Sequence, residues 1–138
     1  MPSVLNPYIS FNQNARDAMT FYQTVFGGKM VLQTFGEGHA TQDPAAMNLI
    51  MHAQLIAENG IMFMAADTPP GMEFQPGAMI RMSLSGDDGP ELKSYFDKLS
   101  DGATILAPLE QAPWGDTFGM LIDRFGVMWF VNILAPKG

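Results

Sequence analysis

Gly60-Ile61-Met62-Phe63-Met64-Ala65-Ala66-Asp67 returns later in the chain as Gly126-Val127-Met128-Trp129-Phe130-Val131-Asn132-Ile133, a shift of 66 positions. A second echo lies upstream of each copy: Phe21-Tyr22 followed by Gly27-Gly28 returns as Tyr95-Phe96 followed by Gly102, at a shift of 74. The eight-residue difference between the two shifts falls in one loop of the first copy. Two copies of a roughly 60-residue unit, each too small to bury a full core alone, are expected to pair face to face, with the cleft between them as the default site.

The surrounding pattern turns this repeat into a fold. Tyr8-Ile9-Ser10-Phe11-Asn12 alternates apolar with polar residues, as a half-buried strand does. Asn14 is placed to cap a helix whose Ala18, Met19, Tyr22, Val25 and Phe26 share one face before Gly27. Strands are then expected over 30–35, 48–57 and 61–65, the last two joined at Glu58-Asn59-Gly60 as a hairpin. The second copy repeats the order: a strand from Met79 to Leu84, a helix opened by Gly89-Pro90-Glu91, and strands over 103–106, 117–122 and 127–133, with Asp123-Arg124-Phe125-Gly126 as the last turn. The reading is α+β, one domain over 1–138, made of two βαβββ modules at 6–67 and 79–135. Residues 68–78, rich in Pro and Gly, form the linker. The eight strands are expected to close into a curved cup.

Composition narrows the function. The 138 residues carry a net charge of −7 with only seven Lys and Arg, too few basic groups to neutralise a run of phosphates, so no nucleic-acid partner is expected. The absence of cysteine removes disulfides, thiolate nucleophiles and cysteine metal sites together. The beginning of the sequence, Met1-Pro2-Ser3-Val4-Leu5-Asn6-Pro7, has neither a basic nor an apolar leader region, and no run approaches the ~20 apolar residues of a membrane span. A cytoplasmic protein without membrane partners is expected. Twelve methionines and ten phenylalanines supply core filling or a pliable apolar cavity.

Pro7-Tyr8-Ile9-Ser10-Phe11, Ala18-Met19-Thr20-Phe21-Tyr22, Val25-Phe26-Gly27-Gly28, His52-Ala53, Trp114-Gly115-Asp116 and Asp123-Arg124-Phe125-Gly126-Val127-Met128-Trp129 resemble the PhnB-like branch of the glyoxalase/bleomycin-resistance/dioxygenase superfamily, the vicinal oxygen chelate proteins. The resemblance covers nearly the whole chain and implies a homodimer, which would also cover the edge strands of two short copies. It further implies a divalent metal held by His and Glu from the first and last strand of each copy. Carried onto this sequence, those positions fall at Pro7 beside Tyr8, at Ile80-Arg81, at Met64 and at Phe130. A thioether, a phenyl ring and an arginine do not hold a dication, so no metal and no cofactor is expected. No glycine-rich phosphate loop, nucleophile elbow or paired carboxylates are recognised, and the methyltransferase label sometimes attached to this branch finds no support.

Strand alternation then sorts the remaining polar groups. If Ile9, Phe11, Ala53, Leu55 and Leu84 face the helices, Tyr8, Ser10, His52, Gln54, Arg81 and Ser83 face the cleft among Met64, Met128 and Phe130. His52 is the candidate acid or base, with a hydrogen bond across the sheet and no chemical task as its alternative. Arg81 is suited to a bidentate carboxylate or phosphate contact, or to an internal ion pair. Trp114 is a candidate lid that stacks on a planar ligand, or a loop anchor, and Trp129 is expected under the second helix. Glu37, His39 and Asp43 could make a peripheral metal contact. Together these point to a metal-free cup binding a small apolar or planar molecule through Tyr8, Ser10, Gln54, Met64, Arg81, Ser83, Trp114, Met128 and Phe130. The alternatives are a metal-dependent lyase or dioxygenase, an isomerase or lyase using His52, and a dimerisation module without ligand.

Overall fold

The computed structural model describes residues 6–38, 43–68 and 80–135. The expected 68–78 linker, Met79 and His39 therefore lie almost entirely outside the described residues, Thr68 alone excepted. The chain separates into two compact units, Met1–Gln75 and Pro76–Gly138.

The first unit runs β1 (Tyr8–Phe11), α1 (Ala15–Phe26), β2 (Lys29–Thr34), β3 (Ile50–Ile56) and β4 (Met62–Asp67). Its sheet has the order β1-β4-β3-β2, with β1 parallel to β4 and the other pairs antiparallel. Ala15, Ala18, Met19, Tyr22, Val25 and Phe26 make the buried stripe of α1 and meet Phe11, Ala53, Leu55, Phe63 and Ala65 from the sheet. Tyr22 and Phe26 both set their rings edge-on to Phe63, with centroids 5.6 and 5.9 Å away.

Asn14 sits before α1 but makes no capping bond through its side chain. The helix is instead started from the sheet: the buried Asp67 at the end of β4 accepts from Ala15 N at 2.8 Å with one oxygen and from Ile50 N at 2.8 Å with the other. A long-range carboxylate thus replaces the local cap that the sequence pattern proposed. At the other end of α1, Gly28 (φ +89°) lets the chain pass against β3, where a Cβ would overlap the Ile56 carbonyl oxygen.

The second unit repeats the plan with β5 (Met82–Gly86), α2 (Gly89–Leu99), β6 (Thr104–Gln111), β7 (Thr117–Ile122) and β8 (Met128–Ile133), in the sheet order β5-β8-β7-β6. Asp88 caps α2 through a bond from Glu91 N at 3.1 Å, and Pro90 occupies the first turn. Leu92, Tyr95, Phe96 and Leu99 are the buried residues of α2, and Leu84, Leu121, Trp129 and Val131 are the buried side chains of the sheet. Trp129 gives its ring N–H to the buried Asp123 at 2.8 Å. Strand β6 is longer than the 103–106 reading; it continues past Pro108 through two irregular steps against β7.

Candidate functional site

Each sheet buries one face under its own helix and leaves the other open, and the side chains on the open faces are the candidate site. In the first unit the alternation is direct: Phe63, Ala65 and Asp67 are buried, while Met62, Met64 and Ala66 are not. The ladder then aligns Val31, Gln54, Met64 and Tyr8 in one row across the open face. Ser10 stands opposite Ala66 and Gln33 opposite His52 in the next turn of the pleat.

Tyr8 and His52 belong to strands separated by β4, yet the Tyr8 hydroxyl reaches His52 Nδ1 at 3.2 Å across the sheet. Their rings lie 5.8 Å apart. Burial pushes the Tyr8 phenol up, so it stays protonated at neutral pH. When that hydroxyl donates, the ring proton of His52 sits on Nε2, leaving a defined donor at the sheet surface. A hydrogen bond across the sheet, expected as one alternative for His52, is present, with Tyr8 as the partner.

In the second unit the open face carries Ser83 opposite Phe130, Met120 opposite Phe130 from the other side, and Phe118 opposite Asn132. The Arg81 guanidinium lies 4.8 Å from the centre of the Phe130 ring. Phe130 meets Phe118 edge-on at 5.6 Å, and Phe118 meets Trp114 at 6.0 Å. Met128, two residues before Phe130 on β8, shares this half-buried face. Trp114 is 65% exposed, so it rests against the end of an aromatic row without being sealed into the core. The turn that carries it is fixed by Asp116, which accepts from Asn132 Nδ2 at 3.1 Å and Ala135 N at 2.8 Å. Those two bonds, the side-chain one foremost, hold the Asp116 carboxyl below the usual carboxylate range against a small opposing effect of burial.

The two open faces therefore collect Tyr8, Ser10, His52, Gln54 and Met64 on one sheet and Arg81, Ser83, Trp114, Met128 and Phe130 on the other. Phe118, Met120 and Asn132 were not singled out from the sequence; the period-two pattern of Thr117–Ile122 was the available signal. Glu37 is occupied locally, accepting from the Thr34 hydroxyl at 3.0 Å, and Asp43 accepts from Ala45 N at 3.0 Å. Among the described residues no three His, Asp or Glu side chains converge as a metal site.

The register corrects one equivalence. Tyr8 pairs with Met64 and Ser83 pairs with Phe130, so the second-unit counterpart of Pro7 is Met82 rather than Arg81. The helix shift of 74 misplaced the strand by one residue, because the β1–α1 connection holds three residues, 12–14, and the β5–α2 connection two, 87–88. The two ladder pairs nearest the positions that the resemblance assigns to a metal, Tyr8 with Met64 and Ser83 with Phe130, carry a phenol, a thioether, a hydroxyl and a phenyl ring. This donor set does not fit a hard or borderline dication.

Known proteins agree with this architecture. The chain is 28% identical to the protein YjdN of Escherichia coli over 144 residues, covering 96% of this chain and 97% of that one. A solved protein, PA1353 of Pseudomonas aeruginosa, superimposes with a TM-score of 0.84 at 32% identity, covering 98% of this chain and all of that one. A Bacillus cereus PhnB protein, described as a putative 3-demethylubiquinone-9 3-methyltransferase, shares the fold with a TM-score of 0.77 at 24% identity, covering 96% of this chain and 100% of that one. Solved glyoxalase/bleomycin resistance/dioxygenase proteins share it at 13% identity. The family model described as 3-demethylubiquinone-9 3-methyltransferase matches residues 3–132. With nearly its full length matched, the chain belongs to that family, and it shares the fold of the glyoxalase/bleomycin resistance/dioxygenase proteins.

Proposed function

We propose that this chain binds a small apolar or planar molecule on the open sheet faces, without the metal of its superfamily. The observation that carries the reading is the row Phe130–Phe118–Trp114, three aromatic side chains in edge contact on a face that the helix does not cover. Aromatic side chains left half-exposed beside methionines offer apolar area at low entropic cost, and the few polar groups beside them orient what lands there. Methyl transfer, the activity in the family description, is not part of this proposal. His52 serves ligand orientation rather than turnover.

The same reading places the protein in the cytoplasm as a homodimer. Among the described residues no helix is long and apolar enough to cross a membrane. Among the described residues strands β2 and β6 stand at the ends of their sheets, where a second copy can cover the edge.

The test joins three measurements. Elemental analysis of protein prepared without chelator, with melting curves in nickel, zinc, manganese and iron, is expected to give no stoichiometric metal and no shift of several degrees; either would overturn the metal-free reading. A panel of planar and apolar metabolites is expected to raise the melting temperature of the wild type and to fail with Phe130→Ala. With a ligand in hand, His52→Ala is expected to retain affinity within a few-fold. Turnover of any panel compound, lost in His52→Ala, would make the chain an enzyme instead.

A further inference from the structure

Resting on that binding reading, we infer that the ligand is a planar carboxylate, its ring laid on Phe130 and Phe118 and its anionic group held by Arg81 and the Ser83 hydroxyl.

The first support is a cation with no counter-charge among the described residues. The chain holds fourteen Asp and Glu against seven Lys and Arg, so an exposed arginine in it has an excess of acids to pair with. Arg124 does so, with Asp101 at 2.7 Å. Arg81, also exposed, has no carboxylate within ion-pair distance among the described residues; the contact found for it is the Phe130 ring. A guanidinium resting on a ring keeps its N–H fork in the plane it shares with a bidentate carboxylate, and it is pre-ordered by the contact.

The second support is the arrangement of chemistry across the sheet. Arg81, just before β5, and Ser83 and Ser85 within it recur at every second residue and are all exposed. The next strands, β8 and β7, present Phe130 and Phe118. On the far strand β6, Glu110 stands opposite Phe118. The face therefore runs from a cation and hydroxyls, over aromatic rings, to a carboxylate. That sequence of groups accepts an anion at the β5 side and repels one at the β6 side, which fixes the direction in which a planar monoanion lies.

The test uses 2-naphthoate, its neutral amide 2-naphthamide, and calorimetric titration of the full chain. In the wild type the carboxylate is expected to bind about tenfold more tightly than the amide, the increment of a charge-assisted hydrogen-bonded pair. Raising salt to about 1 M, where screening reaches a few ångströms, is expected to erase most of the preference without touching the amide. Arg81→Gln, whose fold is checked by its melting temperature, is expected to bind both compounds alike, and Arg81→Lys to restore part of the preference. Equal or tighter binding of the amide by the wild type overturns the inference, as does a preference that survives Arg81→Gln or high salt. If both compounds bind alike and Phe130→Ala abolishes both, the aromatic face stands and the anionic ligand falls. If neither binds, both readings fall together.

Discussion

Asp67 is tied to Ile50: the backbone N–H that opens β3 donates to its carboxylate at 2.8 Å, while the other oxygen takes Ala15 N at the start of α1. One buried side chain thus joins the end of β4, the start of a second strand and the first turn of the helix. Asp67→Asn keeps the shape but substitutes a donor for one acceptor, leaving a buried N–H without a partner. The expected loss is about 2 kcal/mol in urea unfolding, with an unchanged slope. An unchanged midpoint would show that the network contributes nothing.

Gly27 and Gly28 provide a paired test of backbone against contact. Both hold positive φ, 73° and 89°, but a Cβ at Gly27 meets open space and one at Gly28 overlaps the β3 backbone. Gly27→Ala is expected to cost about 1 kcal/mol from backbone strain alone. Gly28→Ala is expected to cost clearly more in the same melting experiment, because backbone atoms cannot swing aside. Equal losses would refute the close approach.

Acid should loosen the Trp114 turn through Asp116. Its folded pKa is depressed, so its contribution to stability is complete above the ordinary carboxylate range and fades as the pH falls through the depressed value. Asp116→Asn is therefore expected to melt below the wild type at neutral pH and to approach it as the solution is acidified. A gap between the two that persists or grows in acid would contradict the assignment.

Tyr8 is expected to select the tautomer of His52. Nitrogen-correlated NMR of the wild type should report a ring dominated by one neutral tautomer, and Tyr8→Phe should return a mixture. Tyr8 is half-exposed, so the same substitution should change stability by no more than about 1 kcal/mol. An identical tautomer ratio in both proteins would mean that the 3.2 Å contact does not orient the ring.

Most of the element order is legible locally, because period-two and period-3.6 patterns are properties of consecutive residues. The hairpin at Gly60 and its repeat at Gly126, both at φ 91°, are of this kind. What escaped required knowing which strands are neighbours. The helix cap from Asp67 spans 52 positions, and the Tyr8–His52 bond crosses an intervening strand, so no window contains either. The displaced Arg81 equivalence had a different origin. A connection shorter by one residue slides a whole strand past its repeat, and in a structure of period two a one-residue slip exchanges the faces. Strand β6 escaped for a third reason: Pro108 and the exposed Ile105 and Leu106 read as a strand's end, whereas at a free edge they are tolerated.

The two buried carboxylates also bear on the history of the duplication. The turn before β8 is closed by Asp123, which takes Phe125 N, Val127 N and the Trp129 ring N–H, and the corresponding residue before β4 is Ala57. Conversely, the residue corresponding to Asp67 is Ile133. The ancestral halves have settled into the same outline around opposite fastenings, so their last strands are no longer interchangeable parts. Transplanting β4 into the place of β8 would set Phe63 where Trp129 stands and strip Asp123 of its indole donor.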